Sequence, residues 1–447
     1  MSTASGVPAI RNLPQSSRRA ILIGSAGNLV ENFSGASFSY LAPLFAHQFF
    51  PMHTPSIALL LTLATYATGF LTKPVGAYIF GTYGDRAGRR NSLYLSILLM
   101  AVSSLIVTVV PGYSYIGFAA PMLLVVARLL EGISSGGEFG ISAAYLIEFA
   151  PARRRAFVGS LQQVTVVAGV LLGSAVVALL ENAVPSGPLH AWVWRLPFAL
   201  GTILCLVCAV LRYRVADTPV FEQVKDASGQ AAHPVWEVLR DYPKASLRVA
   251  GLSMAGITVY YVWLKFLPSY AHASIGIGLA TAQAVNVVAL VITIPLIPLF
   301  SLLADHYGRR PTLLIFGIGM GVAAYPLLLA LRAGTAGFAF AQVGGAVLLS
   351  FGMAAAPAAK AELFPARVRA AGISFPYSIA AVVFGGSAPL LTLSFANSAH
   401  PMLLGAYISA VCLAGSLVYF SMPETKDRPL DDQTATRQVP EVTETKT

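Results

Sequence analysis

The stretch G-T-Y-G-D-R-A-G-R-R at residues 81–90 has a counterpart, S-L-L-A-D-H-Y-G-R-R, at residues 301–310. An acid, a glycine and two arginines recur at an offset of 220: Asp85, Gly88, Arg89 and Arg90 as Asp305, Gly308, Arg309 and Arg310. A second pair, E-F-A-P-A-R-R-R at 148–155 and E-L-F-P-A-R-V-R at 362–369, repeats at an offset of 214. Two pairs at nearly one offset indicate two homologous halves.

The segments around these repeats are strongly apolar. Of the 447 residues, 56% are hydrophobic and only 11% are charged, against about 25% charged residues in a soluble domain. A membrane-crossing helix needs about 20 mostly apolar residues. The composition therefore excludes soluble and disordered proteins and predicts an all-α integral membrane protein. About twelve suitable runs occur, at 20–48, 57–81, 91–110, 118–148, 157–181, 193–213, 247–271, 281–303, 311–331, 337–361, 370–396 and 401–421.

The net charge of +10 comes from cations that cluster on one predicted side of the membrane. They occupy the N-terminus, the central loop, the tail and the short connectors around 86–90, 153–155, 309–310 and 367–369. By the positive-inside rule, this side is cytoplasmic, so both termini are cytoplasmic and the number of spans is even. The charge thus reports orientation in a bacterial-type inner membrane, and we expect no nucleic-acid partner.

The repeats and the apolar runs divide the chain into four segments. We predict a six-helix bundle at 1–213, a central cytoplasmic loop at 214–246, a second six-helix bundle at 247–421 and a cytoplasmic tail at 422–447. The first apolar run contains Asn28 and Glu31 without an A-x-A cleavage site, so we interpret it as a span rather than a signal peptide. We expect the three cysteines to be buried, and we expect no metal site and no cofactor.

Several longer motifs resemble the major facilitator superfamily, and within it the metabolite:proton symporter family. The motifs are the connector at 81–90, G-N-L-V-E at 27–31, R-L-L-E-G-I-S-S-G-G-E-F-G at 128–140, A-P-A-R-R-R-A-F-V-G-S-L-Q-Q at 150–163 and P-E-T-K-D-R-P-L at 423–430. That family includes permeases for oxoglutarate, citrate, shikimate, and proline or betaine. The resemblance implies two six-helix halves that rock around a central site, with the connector motifs as cytoplasmic gates.

The repeated connectors supply candidates for such a gate. Ion pairs between helix ends can hold the cytoplasmic side closed while the other side opens. We predict one cluster in each half: Asp85, Arg89, Arg90, Glu148 and Arg155, and its copy Asp305, Arg309, Arg310, Glu362 and Arg369. The alternative is that these are solvated charges that only fix the topology, because exposed pairs contribute only about 0–1 kcal/mol each.

We single out seven ionisable residues inside the predicted spans, where a charge costs at least a few kcal/mol. They are Glu31, Lys73, Arg128, Glu131, Glu138, Lys265 and Lys360. Lys73 and Lys360 lie in the cytoplasmic halves of their spans, and snorkelling toward the surface is an alternative to a functional role.

The acids among these residues are candidates for proton coupling. Arg128, Glu131 and Glu138 are spaced to share one face of span 4, and Glu31 on span 1 is a candidate partner of Arg128. The resemblance implies that protonation of a span-1 acid frees a span-4 arginine to attract an anion. This chain departs from the family, since Ser34 stands where an Asp is usual and Glu131 where a Gln is usual. Glu131 either takes over part of the proton handling, or coupling is altered or absent.

Lys265, in Y-Y-V-W-L-K-F-L-P-S-Y at 260–270, has no acid in spans 7, 8, 11 or 12 to neutralise it. Together with Arg128 it indicates an anionic substrate, with uncharged hydrogen bonds from Gln162, Gln163, Tyr260, Tyr261 and Tyr377. The alternative is that Lys265 pairs with Glu31, Glu131 or Glu138 across the halves.

We therefore predict a monomeric, proton-coupled symporter of a small organic acid such as a di- or tricarboxylate. A symporter of a zwitterion such as proline or betaine, and an efflux antiporter, remain alternatives. The sequence contains no P-loop, H-E-x-x-H or G-x-S-x-G constellation with partners, which disfavours an enzyme or a sensor.

Overall fold

The computed structural model describes residues 15–183, 190–214, 217, 233–426, 428 and 430. Helices account for almost all of this part of the chain. Spans 1 to 6 are Gln15–Phe49, Pro55–Leu71 continued by Lys73–Ala87, Arg89–Val109, Ala119–Glu148, Arg155–Ala183 and Leu196–Tyr213. Spans 7 to 12 are Pro243–Val259 continued through Leu267–Ile275, Leu279–Tyr307, Arg309–Ala330, Gly334–Ala361, Arg369–Ala380 continued through Ala388–Ala396, and Leu403–Ser421. Shorter helices are Tyr113–Ile116, His190–Val193 and Pro234–Asp241.

Ten stretches of the described residues are long and apolar enough to cross a membrane. One of them, Arg309–Ala361, contains both span 9 and span 10, which meet at the 3-10 turn Leu331–Ala333. Gln15–Phe49 is less apolar but long enough, and with it the helices number twelve. The predicted all-α membrane fold is confirmed, although most helices extend beyond the predicted runs and spans 4, 6 and 12 begin inside them.

The inter-helix contacts follow a pseudo-two-fold pattern. Span 5 packs against spans 8 and 10, and span 11 packs against spans 2 and 4. Each contact has a counterpart six spans away, as expected for duplicated halves. The connectors at 88–89, 149–155, 308–309 and 362–369 lie together on one side of the bundle, which we call the arginine-rich face.

Spans 2 and 4 approach each other more closely than side chains would allow. A Cβ on Gly132 would lie 1.8 Å from the carbonyl oxygen of Gly69, and a Cβ on Gly136 would lie 2.0 Å from that of Lys73. Small residues let helices in lipid pack backbone to backbone. Span 2 is also interrupted at Thr72, just before Pro74. This contact fixes Lys73 beside span 4, in the interior of the bundle.

Span 7 changes pitch where it crosses the centre of the protein. Tyr260–Phe266 is π-helical, and Pro268 follows it. Because proline has no backbone N–H, it cannot bond to the carbonyl of Leu264, four residues earlier. That carbonyl instead accepts hydrogen bonds from the Tyr40 hydroxyl at 3.2 Å and the Asn286 amide at 3.3 Å. π-helical segments often mark functional positions, and this one carries Tyr260, Tyr261 and Lys265.

Candidate functional site

A cavity lies between the two halves, and a second, smaller lobe adjoins it. The two lobes share five lining residues: Glu31, Asn32, Lys73, Ser135 and Tyr261. Lys360, Gln163 and Tyr377 line only the first lobe, whereas Arg128, Glu131 and Lys265 line only the second. The cavity thus brings together most of the residues that the sequence singled out, from spans 1, 2, 4, 5, 7, 10 and 11.

Glu31 pairs with Lys73, not with Arg128. The Lys73 ammonium donates to Glu31 Oε1 at 3.3 Å, and Lys73 is only 8% exposed. The predicted Glu31–Arg128 pair is therefore absent from the described residues, and so is the snorkelling of Lys73. The physical reason is the glycine contact between spans 2 and 4, which holds Lys73 inside the bundle and within reach of span 1.

Arg128 lies against its own helix neighbour in the second lobe. One terminal nitrogen is 2.5 Å from Glu131 Oε2, and the guanidinium carbon is 4.4 Å from the centre of the Phe38 ring. The guanidinium is buried, yet none of its three nitrogens makes a well-aligned hydrogen bond to a described residue. A buried donor without a hydrogen bond is costly. The Arg128 guanidinium therefore retains donors that a ligand can satisfy.

Lys265 lies deep in the second lobe among aromatic rings. Its ammonium is 5.3 Å from the centre of the Tyr260 ring and 5.0 Å from that of Tyr261, and Lys265 is 2% exposed. Gly35 leaves room for it, since a Cβ there would lie 3.3 Å from the ammonium. No ion pair joins Lys265 to a carboxylate of the described residues, so the predicted alternative pairing is not observed in this conformation.

Lys360 is the second lysine that the sequence left undecided, and it too is buried, at 4% exposure. Its ammonium lies 4.9 Å from the centre of the Phe139 ring and 4.8 Å from that of Tyr377. These two rings stack at 4.0 Å with an angle of 8° between their planes, so spans 4 and 11 touch here across the halves. Lys360 therefore lines the cavity instead of snorkelling to the surface.

Glu138 lies outside both lobes, in a buried cluster within the first half. The Arg212 guanidinium on span 6 donates hydrogen bonds to both carboxylate oxygens of Glu138. The Ser96 hydroxyl on span 3 donates to Oε2 at 2.8 Å. Gly27 leaves the space that this cluster fills, because a Cβ there would collide with both charged groups. Gln162 is also remote from the cavity, and its amide donates to the Phe139 carbonyl at 2.8 Å.

The arginine-rich face carries the predicted charge clusters, but Arg155 and Arg369 each pair with the glutamate of the opposite half. In the first cluster, Arg89 lies 3.2 Å from Asp85 and 3.2 Å from Glu148. Glu148 is then bound by Arg369 of the other half, at 3.0 Å, and not by Arg155. The prediction of one self-contained cluster in each half is wrong in this respect.

The second cluster repeats the exchange. Arg309 lies 3.0 Å from Asp305 and 3.0 Å from Glu362, and Arg155 of the first half lies 3.7 Å from Glu362. Burial raises the pKa of the Glu362 carboxyl, while Arg309 opposes that rise. The reason for the exchange is the helix order: Arg155 and Arg369 begin spans 5 and 11, which pack against the opposite half.

Both connector aspartates also bind the start of a helix in the other half. Asp85 accepts hydrogen bonds from the backbone N–H groups of Ala370 at 3.2 Å and Ala371 at 2.8 Å. In the equivalent place, Asp305 accepts from Ala156 at 3.0 Å and Phe157 at 2.9 Å. A carboxylate at a helix N-terminus satisfies free N–H groups and is favoured by the helix dipole.

Two further acids were missed from the sequence. Asp217 accepts from the Arg89 backbone N–H at 3.1 Å, and Glu424 accepts from those of Arg309 and Arg310 at 2.9 and 3.0 Å. The signal was available, since each follows the last span of its half by a few residues. Arg90 lies over Tyr213 and Arg310 over Phe420, at 5.5 and 4.7 Å from the ring centres.

Aromatic contacts close the cavity on the side away from the arginine-rich face. Tyr66 and Phe70 of span 2 meet Phe266 and Tyr261 of span 7, with ring centres 6.3 and 5.1 Å apart. With ion pairs on one side and rings on the other, the two halves hold the cavity between two sets of contacts. Alternating access requires two such sets, of which one opens at a time.

The profile of the family described as Sugar (and other) transporter matches residues 20–253 and 266–436. The chain belongs to this family of the major facilitator superfamily. It is therefore a multi-pass membrane transporter and not an enzyme.

Named relatives agree with this assignment. The chain is 35% identical to the alpha-ketoglutarate permease of Escherichia coli K12, over 89% of this chain and 92% of the relative. It is 30% identical to the proline/betaine transporter of the same strain, over 93% and 85%. The structure of the proton:xylose symporter XylE bound to 6-bromo-6-deoxy-D-glucose superposes with a TM-score of 0.76 at 19% identity, over 93% and 98%. That likeness supports the fold.

Proposed function

We propose that this transporter carries a small organic acid together with protons. The observation that carries the proposal is the charge of the cavity. Its lobes are lined by four cations and two carboxylates: Lys73, Lys265, Lys360 and Arg128, against Glu31 and Glu131. Cations in a desolvated cavity favour an anionic ligand, because a bound anion neutralises the charges whose burial is otherwise penalised. The alpha-ketoglutarate permease among the relatives is consistent with a carboxylate.

The main alternative is a zwitterion, as in the proline/betaine relatives. A quaternary ammonium is bound in proteins by aromatic faces. In this cavity, the rings of Tyr260 and Tyr261 lie beside Lys265, and those of Phe139 and Tyr377 lie beside Lys360. A ligand cation there would face two ammonium groups, so the lysines disfavour betaine and support a carboxylate.

The pair of Glu31 and Lys73 is the proposed point of proton coupling. While Glu31 is ionised, it neutralises Lys73 at 3.3 Å. Protonation of Glu31 removes that partner and adds one net positive charge to the cavity, which favours an anionic substrate there and links proton and substrate occupancy. Lys73 thus takes the place that the sequence had assigned to Arg128. Glu131 lies close to Arg128 and is the second proton-handling candidate.

The exchanged ion pairs are the proposed gate on the arginine-rich face. Because they join the two halves through buried side chains, they stabilise the state in which this face is closed. By the positive-inside rule we place this face and both termini on the cytoplasmic side of a bacterial inner membrane. We also infer that the transporter acts as a monomer, since the cavity is formed within one chain.

Uptake by purified protein in proteoliposomes tests the proposal. We expect an inwardly directed proton gradient, acidic outside, to drive accumulation of one or more members of a carboxylate panel, but not of betaine or proline. Lys265→Met should lower carboxylate affinity about tenfold or more, whereas Lys244→Met, on an exposed residue outside the cavity, should not. Efflux driven by the same gradient would instead support an antiporter. Accumulation of betaine alone would overturn the proposal.

A further inference from the structure

The two lysines without a carboxylate partner lie toward opposite ends of the cavity. Lys360 lines only the first lobe, and Lys265 lines only the second. Lys360 is one residue from the end of span 10, on the side of the arginine-rich face. Lys265 follows the middle of span 7, on the side of the Tyr66–Phe266 contact. The cavity therefore has a separate cation at each end.

At the boundary between the lobes, the charges of the side chains cancel. Glu31 and Lys73 line both lobes and neutralise each other at 3.3 Å. Asn32, which also lines both lobes, accepts a hydrogen bond from the Tyr260 hydroxyl. Along the cavity the charges thus run from Lys360, through the mutually neutralised pair of Glu31 and Lys73, to a lobe in which Lys265 lies beside the pair of Arg128 and Glu131. That order is complementary to a ligand with an anion at each end and a polar or neutral centre.

The surroundings of Lys360 do not supply the missing anion. No carboxylate of the described residues forms an ion pair with it. The ammonium is almost equally distant from the centres of two stacked rings, so it lies beside the stack instead of over one exposed face. A cation gains most over a ring face, and a buried cation without a partner is costly. Lys360 is therefore available to a ligand group.

We propose that Lys360 is a second carboxylate subsite, and that the substrate is an α,ω-dicarboxylate with one carboxylate at Lys360 and the other at Lys265. This rests on the proposed transport of organic anions and narrows it to one class. A monocarboxylate leaves one of the two ammonium groups unpaired. A tricarboxylate adds a third anion, which the middle accommodates only while Glu31 is protonated and Lys73 is unpaired.

The subsite also touches the contact between the halves. Phe139 belongs to span 4 and Tyr377 to span 11, and their stack is part of the closed arginine-rich side of the cavity. A carboxylate that binds Lys360 lies next to this stack. The Lys360 end of the ligand therefore contacts both halves, and so does the Lys265 end, where Tyr66 and Arg128 of the first half line the same lobe.

Binding to the purified full-length protein, measured by thermal shift and by titration calorimetry, tests the subsite. The probes are glutarate and succinate, and their monoamides, which have the same length but a single carboxylate. For the unmodified protein we expect each diacid to bind about 10- to 100-fold more tightly than its monoamide. Equal affinity for diacid and monoamide would overturn the proposal without any variant.

Lys360→Met should lower the affinity for the diacids about 10- to 100-fold and change that for the monoamides less than about threefold. Lys360→Arg, which keeps the charge, should retain most of the preference for diacids even if the Met variant does not fold. The exposed Lys244→Met is the matched control. Equal losses for diacids and monoamides, or no loss for either, contradict the subsite. Failure of the unmodified protein to bind any organic acid would instead overturn the proposed function.

Discussion

Arg369, the first residue of span 11, donates to Glu148, the last residue of span 4, with 3.0 Å between the two charged atoms. Both side chains are buried, and the pair joins the two halves of the protein. Arg155 and Glu362 form the equivalent pair at 3.7 Å. Buried pairs gain little over apolar residues, but removing one partner leaves an uncompensated charge and costs about 3–5 kcal/mol. Their main effect is therefore on which conformation is populated.

Arg369→Gln should shift the protein toward the state that is open on the arginine-rich face. A cysteine placed at Met353, which lines the cavity, reports this when Cys205, Cys208 and Cys412 are replaced by alanine. We expect its labelling by an impermeant maleimide, applied from the arginine-rich side, to rise about tenfold or more. Arg240→Gln, on an arginine whose side chain is 76% exposed in its pair with Asp241, is the control. Unchanged labelling of the Arg369 variant would exclude a gating role.

Glu31→Gln imitates the protonated acid and should uncouple transport from protons. We expect accumulation driven by a pH gradient to be lost, while exchange of labelled for unlabelled substrate continues at a rate within about threefold of the unmodified protein. Lys73 would then be held permanently in its unpaired state.

Glu131→Gln provides the comparison, because Glu131 lies beside Arg128 in the same lobe. We expect it to reduce substrate affinity more than coupling. If Glu131→Gln abolishes the response to the pH gradient while Glu31→Gln does not, the proton-handling role belongs to Glu131.

Glu138→Gln should act on stability and not on transport chemistry. The change leaves the Arg212 guanidinium buried with only a neutral partner, so we expect a loss of about 3–5 kcal/mol in folded-state stability. In detergent this appears as a markedly lower melting temperature, with substrate affinity of the folded fraction preserved. Ser96→Ala removes a single hydrogen bond to Glu138 and should cost only about 1 kcal/mol. Normal stability with lost coupling would indicate a proton relay instead.

Gly132→Ala should prevent folding, because its Cβ would overlap the Gly69 carbonyl oxygen and force spans 2 and 4 apart. Gly256→Ala is the matched control, since a Cβ at this helical glycine meets no atom within 4 Å. Alanine is the better helix former by about 1 kcal/mol, so the control should be as stable as the unmodified protein. Size-exclusion profiles and melting temperatures compare the two, and a well-folded Gly132 variant would show that the spans can separate.

The sequence predicted the architecture well because hydropathy and repetition are strong signals over long windows. It also identified the charged residues of the proposed gate, since the same acids and arginines recur in both halves. It did not find their partners. Arg155 follows Glu148 closely in the chain, and only the packing of spans 5 and 11 against the opposite half places it beside Glu362.

The contacts of the charged residues inside the spans were harder to predict, for a different reason. Hydropathy gives the depth of a residue in its span but not the direction in which it points. Lys73 and Lys360 were for this reason not separated from snorkelling residues, although both line the cavity. Arg212, close to the end of span 6, was not among the intramembrane residues that the sequence singled out, yet it binds Glu138 inside the bundle.

The exchange of Arg155 and Arg369 bears on the ancestry of the chain. If a single half once existed as a separate protein, two identical copies around a two-fold axis would each have offered an arginine to the glutamate of the other. Such reciprocal contacts define an isologous dimer interface. The two crossed pairs are what that interface would leave behind after gene duplication and fusion. The ancestral unit would then have been unable to satisfy its own buried glutamate, and dimerisation would have preceded the fused transporter.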